Sequence, residues 1–174
     1  DEVWNMDIRV YNDIVVKAGN TLTVKCKIHF PDQASLIVEP GATLVLDGGT
    51  LTAACNMWRG IQLLGNANAI QGDTLSTSQG VVRLYNGLIE NADEGIYLGG
   101  FGNDYYSKTG GIVMAYSTTF RNNWRSVCFN PYKRSSISKF VGCTFICDKH
   151  LNKMDYLNDY CDWQGTNAHV TLWG

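Results

Sequence analysis

Charge is what this sequence has least of. Only 17% of its 174 residues are Asp, Glu, Lys or Arg, against about 25% in ordinary soluble domains. Fourteen basic side chains against 16 acidic ones leave a net charge of -2. That balance offers no footprint for a phosphate backbone, so nucleic acid is not an expected partner. Proline is scarce, at 3 residues, so extended segments are rarely interrupted. No apolar run approaches the roughly 18 residues of a membrane span, and the opening residues, Asp1-Glu2-Val3-Trp4, show no signal-peptide pattern.

Chemistry-bearing patterns are missing as well. No Cys-x-x-Cys pair occurs, and His29, His150 and His169 are far apart, without zinc-ligand spacing. The residues themselves therefore imply no metal and no cofactor. There is no Gly-x-Ser-x-Gly elbow and no phosphate-cradling glycine loop. The 6 cysteines form an even number, which fits an oxidising compartment. Cys147 with Cys161 and Cys26 with Cys55 are the candidate disulfides; plain buried thiols are the competing reading.

What the chain has instead is self-similarity. Gly110 to Phe129 alternates apolar and polar residues in three short pieces, with small or amide-bearing residues where the chain must turn. Moved back 31 positions, Phe120 falls on Ile89, Asn122 on Asn91, Val127 on Ile96 and Phe129 on Leu98; moved forward 25, Phe120 falls on Phe145. Earlier, Val16-Lys-Ala-Gly19-Asn-Thr-Leu22 returns 22 positions later as Val38-Glu-Pro-Gly41-Ala-Thr-Leu44. Glycine recurs at a corner that requires positive φ.

A repeat of 20 to 30 residues with three strands per unit predicts a solenoid, because one coil cannot bury its apolar face alone. The fold class is therefore all-β: a right-handed, single-stranded parallel β-helix with three short strands per coil. Alternation places Leu22, Val24, Cys26, Ile28, Leu44 and Leu46 inside. Ile61 with Leu63, Ile96 with Leu98, and Val127 with Phe129 form further layers, with Gln62, Tyr97 and Cys128 outward. One domain over 1–174 is expected. It comprises a lead-in strand over 1–13, coils over 14–147 with exposed loops at 66–79 and 101–109, an excursion over 148–167 and a new coil beginning at 168–174. Leu151, Met154, Leu157 and Cys161 give the excursion roughly helical spacing. Because Val170 and Leu172 read as an interior rung with nothing to cap it, the chain is expected to be a fragment of a longer helix.

Stacking predicts two columns of polar side chains. Asn91 and Asn122 share a corner position, where each amide could bond the next coil; two unrelated turn asparagines are the alternative. Arg59, Glu94 and Arg125 align as charges of alternating sign, a structural ladder worth a few tenths of a kcal/mol per pair. The competing reading is a site for an acidic sugar.

Leu36-Ile-Val-Glu-Pro-Gly-Ala-Thr-Leu-Val-Leu-Asp-Gly-Gly-Thr-Leu-Thr52, Trp58-Arg-Gly-Ile61, Ile89-Glu-Asn-Ala-Asp-Glu-Gly-Ile96 and Thr119-Phe-Arg-Asn-Asn123 together carry a resemblance. It covers most of residues 14 to 147. The chain resembles right-handed parallel β-helix domains of the pectate-lyase-like superfamily. It looks, more narrowly, like those of large secreted surface proteins of the Bacteroidetes, often exported with a C-terminal sorting domain. The resemblance implies a secreted or cell-surface location and, for enzymes of this fold, clustered acids on an outer sheet face, often with calcium. The Asp-Asp and Gly-His-Gly motifs of its glycoside hydrolases are absent here, and Asp93-Glu94 is the sole acidic doublet inside the coils.

The expectation is thus a non-catalytic extracellular module acting as scaffold, adhesion or glycan-binding segment. Its partner would be a polysaccharide or a surface protein. Tyr105, Tyr106, Tyr156, Tyr160 and Trp163 are the candidate binding residues, since such rings stack on sugars or anchor proteins; covering a sheet face is their other reading. A polysaccharide lyase or glycoside hydrolase, and a structural subunit of a larger surface assembly, are the alternatives. No catalytic residue is assigned.

Overall fold

In a computed structural model of the chain, the backbone is described for residues 1–72, 78–101, 104, 106–154, 160–163 and 166–173, and side chains for all of these except 152–154 and 160–163. The chain winds as six coils. The first holds β1 (Glu2–Trp4), β2 (Ile8–Arg9) and β3 (Ile14–Val16). The second holds β4 (Thr21–Val24), β5 (Lys27–Phe30) and β6 (Ser35–Val38), and the third β7 (Thr43–Asp47), β8 (Thr50–Ala53) and β9 (Trp58–Leu63). The fourth has β10 (Val81–Tyr85), β11 (Leu88–Glu90) and β12 (Ala92–Leu98), and the fifth β13 (Ile112–Tyr116), β14 (Thr119–Arg121) and β15 (Arg125–Phe129). The sixth runs through β16 (Lys139–Val141) and β17 (Thr144–Ile146), passes a hairpin of β18 (Leu151–Met154) and β19 (Tyr160–Trp163), and ends in β20 (Ala168–Leu172).

Corresponding strands pair in parallel to give three six-stranded sheets: β1-β4-β7-β10-β13-β16, β2-β5-β8-β11-β14-β17 and β3-β6-β9-β12-β15-β20. This is a right-handed parallel β-helix. The repeat offsets set its register: Leu22 stands opposite Leu44, Ile89 opposite Phe120 and Phe120 opposite Phe145. Ile61, Ile96, Val127 and Val170 form one column. Gly19 and Gly41 take φ of 79° and 80° at their shared corner, where a Cβ would be strained.

The interior is filled by the inward residues of all three sheets. Val24, Ile28, Leu36, Leu44, Leu46, Ile61, Ile96 and Val127 are all fully buried, each contributing about 1.5–3 kcal/mol of apolar transfer free energy. Rings stack along the axis: Phe30 on Trp58 at 4.3 Å and Phe120 on Phe145 at 5.0 Å. Trp58 faces the small Ala92 of the next coil, and its indole N–H donates to the Glu90 carbonyl at 2.9 Å, so its one polar atom is satisfied.

Several expectations are corrected. Residues 1–16 form a complete coil rather than a lead-in strand, because Asp7 and Asp13 hold its turns by accepting from the Lys27 and Ser35 amides at 2.8 Å each. The loop at 66–79 is anchored as well as exposed: Gln71 and Gln79 are 5% and 0% exposed, and Gln79 exchanges hydrogen bonds with the Asn66 backbone. The excursion is an antiparallel hairpin at its described ends, pairing Leu151 with Trp163. Spacing over so short a window does not separate helix from strand, and one or two turns of helix are marginal alone. Tyr97 and Cys128 do face outward, yet both are buried: Phe101 stacks on Tyr97 at 4.6 Å, and the Trp173 side chain lies beside the Cys128 thiol.

Candidate functional site

The corner between the first and second sheets builds a concave stretch of the lateral surface. At that corner Gly48, Asn86, Ser117 and Gly142 stack one per coil with φ of 70°, 51°, 49° and 62°, the left-handed region that glycine and asparagine tolerate best. Each of the first three donates its amide to the next coil, to the carbonyls of Tyr85, Tyr116 and Val141. The residue after the corner points inward. A Cβ on Gly87 would lie 2.5 Å from Leu46 Cδ2, so glycine lets this corner pull in against the core.

The pulled-in corners leave a groove of about 440 Å³ across coils three to six, about 14 Å of the helix axis at the spacing of neighbouring strands. Hydroxyls of Thr50, Ser117 and Thr119, the amide of Asn86 and the apolar Leu88 and Ile146 line it, with Arg121 and Asp148 at one side. Arg121 Nε and Nη2 both donate to Asp148 Oδ2, at 2.9 and 2.7 Å. Asn122 Nδ2 donates to the other carboxylate oxygen at 2.8 Å, and the Asp148 amide donates back to Asn122 Oδ1 at 2.9 Å. The Arg121 guanidinium, and then Asn122, hold the Asp148 carboxyl below the usual carboxylate range; Asp148 in turn raises Arg121. On the second sheet Glu90 stands opposite Arg121 and accepts from Thr52 Oγ1 at 3.0 Å. Tyr85 and Tyr116 stack at 5.7 Å beside the groove, their planes 5° apart.

Sequence reasoning missed this site. The signal was available in part, since Tyr85 and Tyr116 are related by the same 31-residue offset as Ile89 and Phe120. The expected binding aromatics are not drawn together among the described residues. Tyr105 and Tyr156 lie outside those residues, Tyr160 and Trp163 are described only as backbone in β19, and Tyr106 is 71% exposed.

The two polar columns are partly corrected. Asn91 and Asn122 do share a left-handed corner position, with φ of 57° and 54°. Their amides turn to other partners: Asn91 Nδ2 donates to Thr52 Oγ1 at 3.0 Å, and Asn122 bonds Asp148. Both amides still join coils, Asn91 to the third and Asn122 to the sixth, and the next residue, Asn123, which is fully buried, adds an interior bridge to the fourth. Its Oδ1 accepts from the Ala92 amide at 2.9 Å and its Nδ2 donates to the Ile89 carbonyl at 3.0 Å. In the charged column Glu94 pairs with Arg125, but it stands opposite Gly60 rather than Arg59. Arg59 instead donates to Gln33 at 3.2 Å and lies over the Phe101 ring.

The cysteine pairs are corrected too. Cys26, Cys55 and Cys147 are all free thiols, because Cys26 points into the core while Cys55 lies on an exposed turn. The side chain of Cys161 lies outside the described residues. Many described acids hold the coils together. Asp1, Asp7, Asp13 and Asp32 accept backbone amides of the following coil, and Asp47 pairs with Lys25 at 3.0 Å. Among the described residues no three His, Cys, Asp or Glu side chains come together as a metal ion would need, and no helix is long and apolar enough to cross a membrane. Comparison of the chain with protein-family models, with curated proteins and with solved structures gives no match.

Proposed function

We propose that this chain is a non-catalytic β-helix module of a secreted or surface protein, and that its groove receives an extended polyhydroxylated chain such as a polysaccharide. The observation that carries the reading is the groove itself. Hydroxyl and amide groups repeat along the helix axis at the spacing of the coils, and its one cation is already compensated by Asp148. Repeated hydroxyl and amide groups suit a repeating neutral ligand, since each contact is a modest hydrogen bond and several together give specificity. Acids committed to backbone amides and ion pairs support a scaffold role. The likeness of the repeats to surface β-helices of the pectate-lyase-like superfamily, of the Bacteroidetes type, supports the location.

One observation favours a polysaccharide lyase or hydrolase as the second reading. Glu90 and Asp148 flank Arg121 at the groove side, and two carboxyls across a sugar are what glycoside hydrolysis uses. The two readings separate in one experiment. Wild type and Thr119→Trp, which fills the groove from an outward position, are titrated with a panel of soluble polysaccharides while new reducing ends and unsaturated products are assayed. Binding without product, lost in Thr119→Trp, is the expected result. Product formation abolished by Glu90→Gln or Asp148→Asn favours the enzyme, and no binding of any glycan leaves the scaffold role alone.

A further inference from the structure

Three insertions leave the third sheet and return to the first, and they meet above the later coils. Gln71 in the first donates through Nε2 to the Gly110 and Gly111 carbonyls of the second at 2.8 and 3.1 Å. Its Oε1 accepts from the Ile137 amide of the third at 2.7 Å. Tyr132, also in the third, donates to the Ala69 carbonyl at 2.5 Å and accepts from the Gln71 amide at 3.1 Å. Every bond in this knot runs between different insertions.

In its centre is a polar group with nothing to bind. Asn130 is only 5% exposed, and neither its Oδ1 nor its Nδ2 has a protein partner. Gly99 closes off one side of the amide: a Cβ there would lie 2.5 Å from Asn130 Nδ2. Each unsatisfied buried group of this kind carries a desolvation penalty, and native proteins rarely leave one unmet. Asn130 lines a small, half-open pocket of about 20 Å³, with Gly110, Tyr132 and the exposed Ser136 among its walls.

We propose that this cavity is a binding site for one structural water molecule, and that this water is the last link joining the three insertions. Size admits the guest: the volume exceeds the roughly 10–15 Å³ that one water needs. Chemistry selects the species. The amide presents a donor and an acceptor side by side, which repels a bare cation at Nδ2 and an anion at Oδ1, whereas water accepts from the first and donates to the second. The Gly110 carbonyl, which keeps a second lone pair beside its bond from Gln71, and the Ser136 hydroxyl complete the two to four partners a buried water makes.

A crystal structure at near-atomic resolution tests the site directly. The expected result is one well-ordered density peak within hydrogen-bond distance of both Asn130 side-chain atoms, absent in Asn130→Leu. An empty cavity in the wild type, or an Asn130 amide turned onto protein partners, overturns the proposal. Should Asn130→Leu fail to fold, Asn130→Ser serves in its place. Its shorter side chain keeps a hydroxyl and enlarges the space, so retention of the first water and entry of a second are expected, and a dry cavity contradicts the site.

Discussion

Glu94 pairs with Arg125 in the coil above it and misses Arg59 in the coil below by one residue. β12 carries an extra residue against β9, so that Ala92 faces Trp58, Glu94 faces Gly60 and Ile96 faces Ile61, with the irregularity between Glu94 and Ile96. Gly60, at a φ of 108°, sits where a Cβ would fall on the Glu94 carbonyl. The bulge therefore depends on glycine.

Removing one partner of that pair is expected to be costly. Glu94 and Arg125 are 8% and 19% exposed, so Arg125→Met leaves a carboxylate buried without its counter-charge. A loss of about 3 kcal/mol is expected, read by urea denaturation. Arg59→Met, at an exposed position, should change stability by about 0.5 kcal/mol or less.

The two kinds of corner asparagine should behave oppositely. Asn123→Ala strips partners from the Ala92 amide and the Ile89 carbonyl in the interior, and a loss of about 2–4 kcal/mol is expected. Asn91→Gly, which places glycine at a φ of 57°, should lie within about 1 kcal/mol of wild type. Thermal and chemical denaturation of the two variants side by side checks this.

The Arg121–Asp148 pair predicts a pH effect. The folded-state pKa of Asp148 is depressed by Arg121 and Asn122, so its contribution is present above the ordinary carboxylate value of about 3.9 and is lost as pH falls through the lower, folded value. The melting-temperature difference between wild type and Asp148→Asn should be small at neutral pH, since the pair is half exposed, and should shrink further on acidification. A difference that grows below that range contradicts the assignment.

Thiol reactivity follows burial. Burial, followed by Asp7, raises the Cys26 pKa, and burial, followed by Glu94, raises that of Cys128. Cys55 is exposed. Alkylation at mildly alkaline pH with mass-spectrometric mapping should label Cys55 first, and Cys26 and Cys128 only on unfolding. An unreactive Cys55 joined to Cys26 would restore the disulfide expected from the sequence.

The winding itself was legible in the sequence because stacking forces equivalent positions to repeat. Leu22 and Leu44, Ile89 and Phe120, and Phe120 and Phe145 are separated by the same 22, 31 and 25 residues that the register uses. A one-residue bulge left Ile96 in its column while moving Glu94 from Arg59 to Gly60, and no local pattern marks such a slip. Asn122 and Asn123 are adjacent and identical in type, so which one bridges to the coil above and which to the coil below depends on where the corner turns inward. The groove was hidden for a related reason: Gly48, Asn86, Ser117 and Asp148 are scattered in sequence, and only the inward pull at Gly87 and its neighbours makes their surface concave.

The columns of equivalent side chains are the claim on which the rest stands. Methyl-labelled nuclear Overhauser spectroscopy of the Ile and Val side chains tests it most directly. Strong cross-peaks running Ile61 to Ile96, Ile96 to Val127 and Val127 to Val170 are expected, because each pair occupies facing positions on neighbouring strands. Absence of the Ile61–Ile96 and Ile96–Val127 peaks in a folded sample would contradict the stacked architecture and the groove built upon it.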